Sequence, residues 1–235
     1  SLKPLFERFF FVYQFPYFYK MISSKLNCNE IFKKAYLSRY AWPTTFNGYS
    51  GRCIFIENEK TFEGEFNLDN KFKPQIKNIS DNNVLKNITS QLFEVAIHRV
   101  KREFSEVHKN NNFKYLAESE KGLLLQVYGK NDGDKYRVKE NKINMVFRKI
   151  HGVIIEVFVD EFIDTGNGFL SKKYSSQQLN IENLTPKSKK LEYEDNFINL
   201  VNSNIWVLES RIIKFLDENK RTQNMKYIFK ELSLN

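Results

Sequence analysis

INMVFRKIHGVIIEVFVDEFIDTGNGFLSKKY, residues Ile143 to Tyr174, is the stretch on which the reading of this chain turns. Ile143–Ile150 and Val153–Asp164 are two long runs rich in β-branched and aromatic residues, joined by His151-Gly152 alone. A two-residue link of this kind makes a hairpin, because a parallel pair needs a crossover of a dozen residues or more. The turn Asp164-Thr165-Gly166-Asn167-Gly168 then leads into a third run, Phe169–Leu179. Glycines beside Asp and Asn mark a tight reversal. These strands are the longest in the chain, which places them at the centre of the expected sheet.

The same period of two extends outward. Upstream lie Phe113–Glu120, Leu123–Gly129 and Lys135–Glu140, each separated from the next by a short Gly- or Asn-bearing link. Tyr49–Glu57 and Thr61–Leu68 form a further hairpin, with Phe62, Gly64, Phe66 and Leu68 alternating against charged Glu63 and Glu65. Residues 69–82 read as a polar loop with one short extended piece, and 181–196 as loop. Ile205–Leu216 and Met225–Leu234 read as a last hairpin. Two segments carry helical spacing instead. In Asn27–Ala41 the apolar face is Ile31, Phe32, Ala35, Tyr36 and Tyr40, with Asn27 or Asn29 as cap and Pro43 as stop. In Asn83–Phe104 the stripe is Leu85, Ile88, Leu92, Val95, Ala96 and Val100, with Asp81 or Asn82 as cap and Lys101 and Arg102 in the last turn. The expected fold is α+β: a strongly curved antiparallel β-meander, a half-barrel of about ten strands, wrapped over one long helix, with a short N-terminal helix. Residues 21–235 are expected to be a single domain, with 1–20 a loosely attached extension.

At 235 residues, 41% hydrophobic and 15% aromatic, the chain is long and apolar enough to bury a core. The apolar run Phe9–Tyr19 contains Gln14 and Pro16 and is too short to cross a bilayer as a helix. The net charge of +9 is compatible with an anionic membrane surface, but no arginine-rich run occurs. Where basic residues alternate with aromatics, as in Lys135–Lys142, alternation marks one buried and one solvated sheet face, so nucleic acid is not an expected partner. Cys28 and Cys53 are too far apart in sequence for a paired metal-ligating motif and suggest a reducing, cytoplasmic setting. No His/Cys/carboxylate spacing indicates a metal, and no Gly-rich phosphate loop indicates a nucleotide cofactor.

The runs QLFEVAIHRVKREF (91–104), GLLLQVYGKNDGDKYRV (122–138) and Met145–Tyr174, with RYAW and FNGYS inside 39–50, together resemble a cyanobacterial and chloroplast protein family, a domain of unknown function. The resemblance covers roughly residues 27–180, and the C-terminal hairpin more weakly. It implies a photosynthetic lineage and a setting that is either cytoplasmic or peripheral to the thylakoid membrane. It carries no reaction and no functional residue with it. The expected layout is also similar to that of periplasmic lipoprotein carriers, which hold acyl chains between sheet and helix.

Six residues are candidates for a site. Arg39, Tyr40 and Trp42, in the loop after the first helix, combine charge with rings that have a polar handle, suited to the rim of an apolar cleft. His98 on the long helix, and Arg148 and His151 on the central hairpin, are candidates for its mouth. His151 also stands where a turn asks for unusual backbone angles. Asp164-Thr165-Gly166 resembles the aspartic-protease signature, but those enzymes need two such aspartates sharing a proton, and the chain has one. The turn reading therefore takes precedence, with Asp164 accepting backbone N–H groups. Three functions stay open: a non-enzymatic binding or assembly factor holding a lipid, pigment or tetrapyrrole; a small barrel enzyme, bilin lyase-like or isomerase-like, with His98 or His151 as acid/base; and a basic RNA- or protein-interaction module.

Overall fold

The computed structural model describes residues 27–200 and 203–235. The expected N-terminal extension lies outside them. Twelve strands form one open antiparallel sheet: β1 (Tyr49–Glu57), β2 (Lys60–Leu68), β3 (Pro74–Lys77), β4 (Asn111–Ser119), β5 (Gly122–Gly129), β6 (Lys135–Lys139), β7 (Lys142–Ile150), β8 (Val153–Asp164), β9 (Phe169–Leu179), β10 (Leu191–Leu200), β11 (Ile205–Leu216) and β12 (Thr222–Leu234). The order across the sheet is β3-β2-β1-β12-β11-β10-β9-β8-β7-β6-β5-β4. From β4 to β12 this is a plain meander. The N-terminal hairpin then joins it through β1, which pairs with β12 from Tyr49 opposite Leu234 to Glu57 opposite Met225. One edge, β3, has four residues and begins with Pro74, which blunts it against further pairing.

The helices are α1 (Cys28–Leu37), α2 (Asn82–Arg99) and the single turn α3 (Phe104–Val107). Asn27 caps α1 by accepting from the Glu30 N–H, and Asp81 caps α2 by accepting from Asn83 and Val84. Asp195, on β10, faces Arg211, on β11, and Arg211 bonds to Gln91 and Glu94 of α2.

The half-barrel wrapped over one long helix is not what forms, and the reason is length. Twelve strands about 4.8 Å apart span roughly 53 Å. An 18-residue helix is only about 27 Å long even if laid straight across them. The sheet therefore stays open and carries two separate cores. In the first, Val84, Ile88, Leu92, Val95 and Ala96 of α2 pack with Phe55, Phe66, Leu208, Tyr227 and Phe229. In the second, Cys28, Phe32, Ala35 and Tyr36 of α1 pack with Phe113, Leu125, Val127, Tyr136 and Val138. Both helices lie on the same face, because cross-strand partners point the same way. The row Tyr136, Val146, Val157, Ser176, Leu191 runs from the second core to the first.

Two local readings also shift. Residues 191–200, part of which read as loop, form β10. Helix α2 ends at Arg99, with Val100 already extended, so Lys101 and Arg102 lie beyond its last turn. The turn at 164–168 matches its reading: Gly166 donates to Asp164 Oδ1 at 2.9 Å. At Gly168 φ is +136°, and an added Cβ would stand 2.7 Å from the Tyr40 nitrogen, where the chain leaving α1 crosses the start of β9.

Candidate functional site

Among the described residues, neither α1 nor α2 packs on β8 or β9, between the two cores. Helix α1 packs mainly on β4, β6 and β7, and α2 on β1 and β3; β8 and β9 lie between them. On the helix face these central strands present Ile155, Val157 and Val159, all only half-buried, next to Val146, which packs against the second core. The same strands present Met145, Phe147 and Phe158 on the opposite face. There, long cationic side chains lie over the rings: Lys135 Nζ is 5.2 Å from the Phe147 centroid, and the Arg137 guanidinium 5.7 Å from that of Phe158. The opposite face also holds an open groove of about 790 Å³ lined by residues such as Arg137, Asn144, Phe158 and Asp160. Its polar groups largely answer one another: Lys142 pairs with Glu140 at 3.4 Å, Arg137 donates to Asn144 and Lys139 to the Glu120 carbonyl. The valine strip is the larger imbalance.

Arginines gather beside that strip. The chain from Arg39 to Trp42 runs between β9 and α2: Tyr40 N–H donates to the Phe169 carbonyl and Trp42 N–H to that of Arg99, at 3.0 and 2.7 Å. This brings the ends of α1 and α2 together. The Arg39 guanidinium lies 3.8 Å from the centroid of Tyr36, whose hydroxyl donates to the Arg102 carbonyl. Arg99 stands 5.5 Å from the Phe197 ring on β10, and its charge interacts with Tyr174 on β9. The charge of Arg39 reaches Tyr136 on β6. Among the described residues, Arg39, Arg99 and Arg102 form no ion pair with a carboxylate, and the buried Nε of Arg99 has no hydrogen-bond partner. Burial lowers the Arg99 pKa to about 10, so it remains a cation at neutral pH.

Of the six residues singled out from sequence, the structure brings Arg39, His98 and Arg148 toward this gap. His98 is exposed, and no hydrogen bond is formed by its ring among the described residues. Crowding by surrounding protein, and then the charges of Arg99, Arg39, Arg211 and Arg102, lower its pKa to about 4. Its exposed surface lets water screen part of this effect, and the ring is neutral at pH 7 in either case. Arg148 is committed to the buried Asp134, 3.0 Å from its Nε. Tyr40 and Trp42 are buried in the first core: Tyr40 Oη accepts the Trp206 N–H, and Trp42 Nε1 donates to the Trp206 carbonyl. His151 sits apart in the β7–β8 turn with φ +47°. Arg99 and Arg102 are the residues the sequence reading passed over. The basic HRVKR run, residues 98–102, holds the signal, and for Lys101 and Arg102 the helix dipole is a competing local explanation.

His108 was also passed over. Its ring stands among Phe32, Tyr36, Phe104 and Phe113, with centroids 5.1 to 5.5 Å away, and Nδ1 lies 3.2 Å from the Asn111 amide nitrogen. Burial, aided by the charges of Arg148 and Arg39, lowers its pKa to about 4. The unfolded chain, with an ordinary His pKa near 6.5, takes up the proton first as pH falls. Stability is therefore full above about pH 6.5 and declines as pH drops toward 4. Between pH 7.5 and 5, above the range where carboxylates titrate, about 1–2 kcal/mol should be lost. Urea unfolding at both pH values checks this. His108→Phe should lessen the dependence, leaving the share of His98, whose pKa is lowered in the same direction, and an unchanged slope in that variant would refute the assignment.

The fold and the gap define an open antiparallel-sheet protein with an arginine-flanked apolar strip between two helix-covered cores. The chain belongs to the family described as "Protein of unknown function (DUF3386)", which matches residues 23–234. Among solved structures it is similar to a DUF1329 family protein from Desulfovibrio piger, at 8% identity over 89% of this chain and 93% of that one. The TM-score of 0.27 is too low for that likeness to inform the fold or the site. Comparison with curated proteins gives no match. Among the described residues no helix is long and apolar enough to cross a membrane.

Proposed function

We propose that the protein is a non-enzymatic binding factor that holds a hydrophobic ligand on the helix face of β7–β9, in the gap between α1 and α2. The observation that carries this reading is the valine strip. Ile155, Val157 and Val159 are half-buried at the middle of a twelve-stranded sheet, the place where side chains are ordinarily most covered. Apolar surface left in water costs about 25 cal/mol per Å², and an apolar ligand recovers it. If the host is photosynthetic, as the resemblance implies, the ligand class includes pigments and tetrapyrroles as well as lipids. The acid/base alternative has less behind it, since among the described residues neither His98 nor His151 has a carboxylate partner.

The neutral apolar fluorophore N-phenyl-1-naphthylamine tests the reading. Wild-type protein should enhance its emission with saturable, micromolar binding. Val157→Glu places a charge in the middle of the strip and should weaken binding at least about tenfold, since burying an unpaired charge costs several kcal/mol. Val157 is half-buried, so the variant should still fold. Equal binding by wild type and Val157→Glu, or none by wild type, would overturn the proposal.

A further inference from the structure

We infer that the ligand is an amphiphile with a carboxylate at one end, and that Arg39, Arg99 and Arg102 read that carboxylate while the valine strip takes the apolar body. The inference rests on the binding role proposed above and adds the chemistry of the head group. Four observations support it. Three arginines converge where α1 and α2 end, and none has an anionic partner among the described residues. Arg211 and Arg148, by contrast, hold Asp195 at 2.7 Å and Asp134 at 3.0 Å. The Arg99 Nε is shielded from water with its N–H unused, and a buried donor left unsatisfied is unfavourable. Finally, the Arg39–Trp42 segment is bonded to β9, the strand that pairs with β8, which sets the cluster beside the strip.

A carboxylate suits these groups. Guanidinium is a planar fork that pairs bidentately with a planar anion, and such charge-assisted bonds are about twice as strong as neutral ones. Arg39 is held in plane by the Tyr36 ring beneath it and by its Nε donating to the Tyr36 carbonyl at 3.0 Å, which leaves its terminal nitrogens free to face outward. Arg99 is fixed from the backbone side by Trp42. His98 stands neutral beside them and does not compete for the anion.

The test is displacement of N-phenyl-1-naphthylamine from the full-length protein by hexadecanoate, hexadecanol and acetate. Hexadecanoate should displace the probe at about tenfold lower concentration than hexadecanol, as expected for one charge-assisted contact of about 1.4 kcal/mol. Acetate should not displace it. Arg99→Met and Arg39→Met should each bring hexadecanoate to the level of hexadecanol without changing hexadecanol itself; Arg39 is exposed, so its variant remains informative if Arg99→Met folds poorly. Equal displacement by acid and alcohol in wild type overturns the inference but leaves the apolar site standing. Displacement by acetate as effective as by hexadecanoate also overturns it, since the cluster would then read a free anion. Failure of the probe to bind at all removes both proposals.

Discussion

Asp195→Ala should destabilise the protein by about 3–5 kcal/mol, one of the two largest single-residue effects expected in this chain. Asp195 and Arg211 are each 2% exposed and are joined by two bonds, Nε to Oδ1 at 2.8 Å and Nη2 to Oδ2 at 2.7 Å. The remaining donors of Arg211 are also used: one nitrogen reaches Gln91 and Glu94 on α2, at 2.8 and 3.3 Å, and the other the Tyr174 hydroxyl at 2.8 Å. Removing the aspartate leaves a guanidinium in the core with only the half-exposed Glu94 to balance it. The cost lies in that orphaned charge, more than in the net worth of the pair. Asp195→Leu combined with Arg211→Met should therefore recover at least half of the loss. The denaturant midpoints of the two variants check both statements. A loss below about 1 kcal/mol for Asp195→Ala would mean that water reaches the pair.

The same pair explains what could be read from sequence and what could not. Strands β4 to β9 are visible because side chains alternate and the links between them are short; both are local properties. Strand β10 was partly hidden because its inward position 195 holds an aspartate, and the arginine that makes this tolerable lies 16 residues further on. A buried ion pair breaks the apolar period of each strand and becomes intelligible only when both strands are known. The β1–β12 ladder is unreadable for a related reason: Tyr49 and Leu234 are joined by no local signal. The cover of the sheet failed differently. Periodicity gives the length of a helix, but the number of strands that helix must cover follows only from the whole topology, and a twelve-stranded sheet outruns α2. At the site, Arg39 and His98 stood out as polar groups beside apolar ones. Arg99 and Arg102 did not, because a basic residue near a helix end already has a sufficient local explanation.

Trp42→Ala should cost a similar 3–5 kcal/mol, by emptying the aromatic cluster that closes the first core. Trp42 is 2% exposed and packs on Phe46, Phe72 and Tyr49, with ring centroids 4.5, 5.6 and 6.3 Å away. The substitution also strands the Trp206 carbonyl that accepts from Nε1 at 2.9 Å. Because the Trp42 backbone holds the end of α2 through the Arg99 carbonyl, relaxation around the cavity should also blur the acid-over-alcohol preference. Trp42→Phe separates the two roles of this residue. It keeps most of the ring, loses one hydrogen bond and some volume, and should cost about 1–2 kcal/mol. Thermal unfolding gives the stability, and loss of the blue-shifted emission of a buried indole reports directly on the replaced ring. If Trp42 acts only in the core, Trp42→Phe binds N-phenyl-1-naphthylamine like wild type. If it folds normally and loses the probe, the ring reaches the ligand after all, and the site extends from the valine strip under the Arg39–Trp42 segment into the first core.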